Sequence, residues 1–494
     1  MTQVFHQVKY RLVKPAYKTY DTSGFKFQVL GFRIKTEPIA KPQCWDGEKF
    51  TFLNLTHEFS GWDFNEFGNL WTYNQNYFDW LNQEGMTAEE GCKWIDRFME
   101  EIAGQARNEE GMAHGSTTAR NEAGMALDPY PIALRSINWV KFFCKHPECA
   151  TKERVDALYS QVKLLEKKLE YHLLGNHLLE DSYALYFVGA YFNEKALIKK
   201  AKKLLLAQLD EQVLPDGAHC EQSPMYHCIL LDRLLDCINI NTSPELERYA
   251  SKMLGHLENV AWNDGTIPLL NDSAYGIAPT PEQIFDYARR LGLEWEVIPM
   301  RECGYRKLIA EGLEAIVDVG NITATYQPGH THADSLNYEL RIDGKPFVVD
   351  CGISTYNKTV RRQYERGTAA HNCVVVGGKN SSEVWGGFRV ARRATVSGAK
   401  VQGSSIEAEH DGYEKPCKRR FEMKEDGFIV EDWYDGEAIS YVHLAEGADE
   451  KRINIEGAEK VKIKPWQYST EYNRFKEGKE IIITFKNYVK YTIQ

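Results

Sequence analysis

The chain has 494 residues, 43% hydrophobic and 26% charged, with a formal net charge of −10. That is long enough for two or three domains, and the composition is that of a folded globular protein rather than a disordered one. The acidic balance disfavours non-specific nucleic-acid binding, which needs a basic field, but leaves room for an acidic polysaccharide held in a local basic cleft.

Aromatic residues make up 12% of the chain, with 11 Trp and 27 Tyr. Flat rings stack on sugar faces, and they also build large aromatic cores. The 11 cysteines show no CxxC pairing, so most are expected to be reduced and buried. The N-terminal residues lack the apolar stretch of a secretory signal, and no segment approaches the ~20 apolar residues of a membrane span. The sequence as written therefore reads as cytoplasmic, or as periplasmic if a leader was trimmed.

In chain order, residues 1–40 show no clear period. Residues 42–80 are dense in Trp, Phe, Tyr and Asn and read as aromatic loops and short helices. Helical patterns run from about residue 88 to 300. Val155, Leu158, Val162, Leu165 and Leu169 recur in steps of 3 and 4, which puts them on one helical face. Similar stripes fall at 89–104, 182–192, 194–209, 225–238 and 244–260. Ser243 before Pro244, and Thr280 before Pro281, are helix-start signals. From about residue 305 the period changes. Tyr338, Leu340 and Ile342 alternate, the turn Asp343-Gly344 follows, and then Pro346-Phe347-Val348-Val349. Further strand-like runs lie at 372–376, 427–433 and 481–485. Helices followed by strands predict a helical domain over 1–300 and an antiparallel β domain over 301–494.

Three polar clusters stand out. Asn176, His177 and Glu180 lie at a helix start, with His177 and Glu180 spaced to share a face. Asp216, His219, Glu221, Tyr226 and His227 crowd a loop and the following helix. His330 and His332 precede one apolar strand, Asp350 ends the next, and His371 opens another. Two imidazoles and a carboxylate converging from strand ends suit Zn²⁺; polar packing at strand ends is the other reading.

Together these clusters resemble the heparinase II/III-like polysaccharide lyases. The match rests on His330-Thr331-His332-Ala333-Asp334-Ser335-Leu336, Val349-Asp350-Cys351-Gly352, Arg366-Gly367-Thr368-Ala369-Ala370-His371-Asn372, Asn176-His177-Leu178-Leu179-Glu180, Glu221-Gln222-Ser223 with Tyr226-His227, and Pro268-Leu269-Leu270-Asn271-Asp272. The resemblance implies an incomplete (α/α) toroid followed by an antiparallel β-sandwich, and β-elimination beside a uronic acid. It implies that Asn176 and His177 neutralise the uronate carboxylate, that Tyr226 serves as base and acid, and that His330 acts with it. Glu180 would support His177, while His332, Asp350 and His371 would bind a structural zinc.

Elimination removes a proton alpha to a carboxylate, so the developing enolate needs preorganised donors. Tyr is a poor base at its free pKa of ~10, so a nearby cation, His330 or His227, is expected to lower it. Glu221 supports the same cluster. Trp71, Tyr73, Arg366 and Arg389 are candidate substrate-binding residues, by stacking or by bidentate forks to acidic groups; Arg361, Arg362, Arg392 and Arg393 lie in the same basic stretch. The expected partner is an acidic polysaccharide. Two other functions fit the residues: a glycoside hydrolase pairing Glu221 with Asp216 or Asp272, and a non-catalytic glycan-binding protein.

Overall fold

The computed structural model describes residues 2–12, 15, 17–23, 34–111 and 124–494. No helix among the described residues is long and apolar enough to cross a membrane. Helices dominate as far as Arg290, and strands take over from Tyr305. By packing, the chain forms two compact units that interleave in sequence. One comprises Met1–Glu211, Asp232–Ala250 and Asp286–Leu293; the other comprises Gln212–Leu231, Ser251–Phe285 and Glu294–Gln494.

In the first unit the predicted stripe is borne out. Val155, Leu158, Val162 and Leu165 are buried on the Lys152–Lys168 helix, while Leu169 falls just past its end. Thr151 caps that helix by accepting from the Arg154 N–H. The helix predicted from 182 begins earlier, at Gly175, and runs to Tyr191. Its entry is strained at Leu174, which has φ 62°, and continues through Gly175 at φ 54°, a conformation open to glycine. Residues 1–40, without a legible period, contain the helix Thr2–Leu12. The aromatic stretch contains a hairpin, Lys49–Phe52 with Leu55–Glu58, turned by Leu53 and Asn54 at positive φ.

A buried ionic network lies within this first unit. Lys41 pairs with Asp232 at 2.8 Å, Lys141 pairs with Asp236, and Arg233 faces Asp79 at 3.3 Å and Glu180 at 3.9 Å.

In the second unit, Thr280 and Gln283 form a reciprocal capping box on the helix Pro281–Arg290. The Pro224–Ile240 helix starts with Ser223, whose hydroxyl accepts from the Tyr226 N–H at 3.2 Å. Eleven of this unit's strands build one antiparallel sheet, and Val384–Trp385 pairs separately with Arg389–Val390. The sheet's long members, Gly427–Leu444, Ile453–Glu471 and Arg474–Ile493, carry register shifts that let one strand change partners along its length. Gly427–Leu444 pairs first with Cys417–Lys424, then touches Val374–Val375, and ends beside Val348. The sheet thereby curls around a core that includes Tyr338, Leu340, Val348, Phe421, Val442 and Ile483. The predicted Asp343-Gly344 turn closes the Tyr338–Ile342 and Lys345–Val348 hairpin, both residues at positive φ.

Of the 11 cysteines, Cys92 and Cys149 are paired in a disulfide and nine lie outside any disulfide, seven of those buried.

Candidate active site

The site in the second unit is organised around Asp272. Its backbone is set by Asn271 in the left-handed region (φ 55°), a conformation asparagine tolerates. Ser223, the residue that starts the Tyr226 helix, donates to the Asp272 carbonyl at 2.7 Å. The buried Asp272 carboxylate meets three cation-capable groups: His330 Nδ1 at 2.9 Å, His332 Nε2 at 2.8 Å, and both terminal nitrogens of Arg362. Burial opposes its ionisation, but Arg362 and the two histidines outweigh that and hold it well below the usual carboxylate range.

This arrangement orients His330. With Nδ1 directed at Asp272, Nε2 is left facing Glu221, 3.6 Å away. Tyr226 lies over the imidazole with ring centroids 4.0 Å apart. Its hydroxyl is 3.2 Å from that of Tyr356, which in turn lies 3.3 Å from His330 Nδ1. Tyr226, His330, Tyr356, Asp272, Glu221 and Arg362 thus form one contiguous polar cluster.

The expected cation that lowers the tyrosine pKa is not what surrounds Tyr226. Burial raises the phenol above its ordinary range. Hydrogen bonding from Tyr356 lowers it, the Asp272 and Glu221 charges raise it, and Arg362 lowers it. Near neutral pH the hydroxyl is therefore protonated, poised to donate. His227 turns away from this cluster. Its Nε2 meets the Met253 carbonyl at 3.0 Å, and its ring packs against His256.

In the first unit Asn176 is nearly buried at the helix start. His177 Nδ1 pairs with Glu170 at 3.1 Å and its ring lies against Tyr130, 4.8 Å between centroids. The carboxylate hydrogen-bonded to His177 is thus Glu170 rather than the expected Glu180. Glu180 sits one turn further on, pointing into the ionic network at Arg233.

The substrate-binding expectation is corrected at Trp71 and at Arg366. Trp71 is buried among Phe52, Phe64 and Phe67, and its indole N–H donates to the Leu55 carbonyl. It is a core residue, not a stacking platform. Tyr73 is half-buried and donates to Asp128 at 2.9 Å. Arg366 is buried and directs its guanidinium to the carbonyls of Thr331, Trp385 and Arg389. Arg389 is exposed, beside the exposed Trp385. His219 bonds Gln212 at 2.9 Å. The hydrolase pairing fails on Asp272, whose oxygens are taken by Arg362 and two histidines, and on Asp216, whose oxygens accept backbone N–H groups. Sequence reasoning missed Tyr356, and it left Arg362 undistinguished among its neighbours; both lie between the recognised motifs.

His330 and His332 stand on an irregular segment before the Tyr338–Ile342 strand, not within a strand, and His371 follows a short 3₁₀ turn. His371 Nδ1 meets Asp350 at 2.8 Å, and the His332 and His371 rings are 5.2 Å apart. His332 Nδ1 and His371 Nε2 are both buried without a hydrogen-bond partner. An orphaned nitrogen on each of two neighbouring buried imidazoles fits the donor chemistry of a metal site. Asp350, Cys351 and His371 bring donor atoms within 4.8 Å of one another, so the group can hold a metal ion and Cys351 belongs to it.

This geometry defines a helical protein with a β-sheet module whose Tyr–His–Asp–Arg cluster draws on two helices, Pro224–Ile240 and Val360–Glu365, and two loops. Residues 135–279 match the heparinase II/III N-terminus model, and residues 294–493 match the heparinase II/III-like C-terminal model. The chain belongs to the heparinase II/III-like family. A heparin-sulfate lyase of Bacteroides stercoris is 23% identical over 251 residues, 42% of this chain and 37% of that protein. The chain thus aligns with well under half of that relative's length. Among solved structures, a heparinase III superposes with a TM-score of 0.62 at 16% identity, covering 88% of this chain and 80% of the other. A mutant heparan sulfate lyase of Pedobacter heparinus gives 0.59 at 14%, covering 99% and 87%.

Proposed function

We propose that the protein is a polysaccharide lyase that cleaves a uronic-acid-containing acidic polysaccharide by β-elimination. The observation that carries this reading is the close ring contact of Tyr226 with an imidazole whose tautomer is fixed by Asp272. A base and an acid in contact are what elimination requires at the alpha carbon and at the leaving oxygen. His330, with Nδ1 held by Asp272, takes the proton through Nε2 in this reading, and the protonated Tyr226 returns one to the glycosidic oxygen. Asn176 and His177 supply donors to the uronate carboxylate, and Glu170 orients His177. Arg389 contributes a positive charge for acidic groups along the chain. We read the helical part as an incomplete (α/α) toroid and the strand part as the family's β-sandwich.

His332, Asp350 and His371 hold a zinc ion in this reading, with Cys351 beside them. Zinc here supplies structural cross-linking, fixing the segment that carries His330 two residues before His332.

The test is a panel of uronic-acid polymers, including heparan sulfate, chondroitin sulfate and bacterial capsular uronans, followed by the ultraviolet absorbance of the unsaturated uronate. Turnover with that absorbance supports the proposal. Cleavage that yields only saturated ends, or no turnover on any polymer, overturns it.

A further inference from the structure

A second cluster of metal-capable side chains lies apart from the one above. Asp216, His256 and Cys303 are all buried and bring one donor atom each within 4.8 Å of the others. They come from three separate elements of the second unit. Asp216 is in the turn before the Tyr226 helix, His256 is on the Pro244–Val260 helix, and Cys303 is at the entry to the first long-sheet strand, Tyr305–Ala310.

The turn is built to press on that helix. Gly217 has φ +82°, and a Cβ there would sit 2.1 Å from the Lys252 carbonyl and 3.2 Å from the His256 Cβ. Only glycine allows that approach. The Asp216 carboxylate is fixed by three backbone N–H donors, from Arg301 (2.9 Å), Cys303 (3.0 Å) and Ala218 (3.3 Å). No lysine or arginine among the described residues pairs with it. His256 Nδ1 is buried without a hydrogen-bond partner, and so is Nδ1 of His227, whose ring lies 5.1 Å from that of His256. Two unsatisfied buried imidazole nitrogens next to a buried carboxylate and a thiol form a costly arrangement unless something binds there.

We infer that Asp216, His256 and Cys303 bind a zinc ion, with the fourth position open to water or another ligand. A thiolate, imidazole and carboxylate set suits Zn²⁺, and the sulfur excludes Mg²⁺ and Ca²⁺ as the intended ion. Binding displaces the thiol proton. The ion clamps the Asp216 turn, and through it the Glu221–Tyr226 segment, to the start of the sheet. This site stands independently of the lyase reading and of the His332–Asp350–His371 site.

The experiment is metal analysis of the intact protein together with cobalt substitution. The parent is expected to hold two zinc equivalents per chain. Cys303→Ser and His256→Ala each lower that by one, and so does His332→Ala, by removing the other ion. Cobalt-loaded Cys351→Ser protein, whose other site has no thiolate, shows a thiolate-to-cobalt charge-transfer band, and adding Cys303→Ser abolishes it. Should that double variant fold poorly, the cobalt spectrum of the Cys351→Ser protein alone decides the matter. Cys351→Ser protein with no thiolate–cobalt band, or Cys303→Ser protein that keeps both zinc ions, overturns the inference. Loss of zinc in His332→Ala alone sinks this site while leaving the other intact.

Discussion

Tyr226 packs against His330 with 4.0 Å between ring centroids and the rings tilted by 31°, although one residue opens a helix and the other lies in a loop before the sheet. The contact joins a phenol held protonated by burial to an imidazole with one nitrogen committed to Asp272.

Tyr226→Phe removes the acid while keeping the ring that packs on His330. Lyase kcat is expected to fall ~100–10,000-fold, the usual contribution of a positioned acid or base. The melting temperature should stay close to the parent's, because the ring packing is kept. The check is initial-rate absorbance of unsaturated product alongside a thermal melt. Activity within a few-fold of parent would remove Tyr226 from the reaction.

Asp272→Asn tests the tautomer argument. The amide cannot hold His330 with Nδ1 protonated in the same way, and the comparable change in a serine protease triad costs ~10,000-fold in kcat. It also strands the buried Arg362, and breaking a buried pair typically costs about 3–5 kcal/mol. Both a kcat loss and a lower urea midpoint are expected. A variant as stable as the parent, with unchanged kcat, contradicts the hub role of Asp272.

Much of this was legible in the sequence where chemistry and spacing coincide. The stripe through Val155–Leu165, the Thr280 cap and the Asp343-Gly344 turn are local signals, set by neighbours a few residues away. His330, Tyr226 and Asp350 were found because their motifs are compact. What escaped depends on long-range approach. Arg362 is one arginine among several in sequence, and only the fold selects it by aiming its fork at Asp272. Glu170 replaces Glu180 beside His177 because the chain turns back through the Leu174 kink, which helical spacing does not anticipate. Trp71 looked like a sugar platform because aromatic content cannot distinguish an exposed ring from a packed one.

Asn176→Ala removes one carboxylate donor in the proposed chemistry. A lost oxyanion-type donor costs ~100–1,000-fold in kcat, or about 2.7–4 kcal/mol of barrier. KM is expected to change less than kcat, because the donor acts on charge that develops in the transition state. Steady-state kinetics on the best polymer from the panel gives both constants. An effect confined to KM would reassign Asn176 to ground-state binding.

His332→Ala is expected to lose one zinc equivalent and to lower the melting temperature, because a structural ion contributes folding energy directly. Its kcat should fall as well, since a catalytic group displaced by ~1 Å can cost ~100-fold and His330 is two residues away. Full metal content in this variant would show that His332 is not a ligand.

Glu180 offers a stability test free of catalysis. The buried network holds three cations, Lys41, Lys141 and Arg233, against four carboxyls, Asp79, Asp232, Asp236 and Glu180. One acid is in excess. Asp232 is held down to about 2, mainly by Lys41 against its burial, while burial pushes Glu180 up to about 7 despite Arg233. A carboxyl raised in the folded state keeps its proton where the unfolded chain has lost it. Its stabilisation is therefore present below the ordinary value of 4.5 and is lost as pH rises to about 7. At about 1.4 kcal/mol per pH unit for one proton, the parent loses about 3 kcal/mol over that window. Glu180→Gln, which mimics the protonated acid, lacks this loss. Its urea midpoint should match the parent's near pH 4.5 and exceed it at pH 8. Parallel pH profiles for the two proteins would show that Glu180 is already ionised in the fold, paired with Arg233.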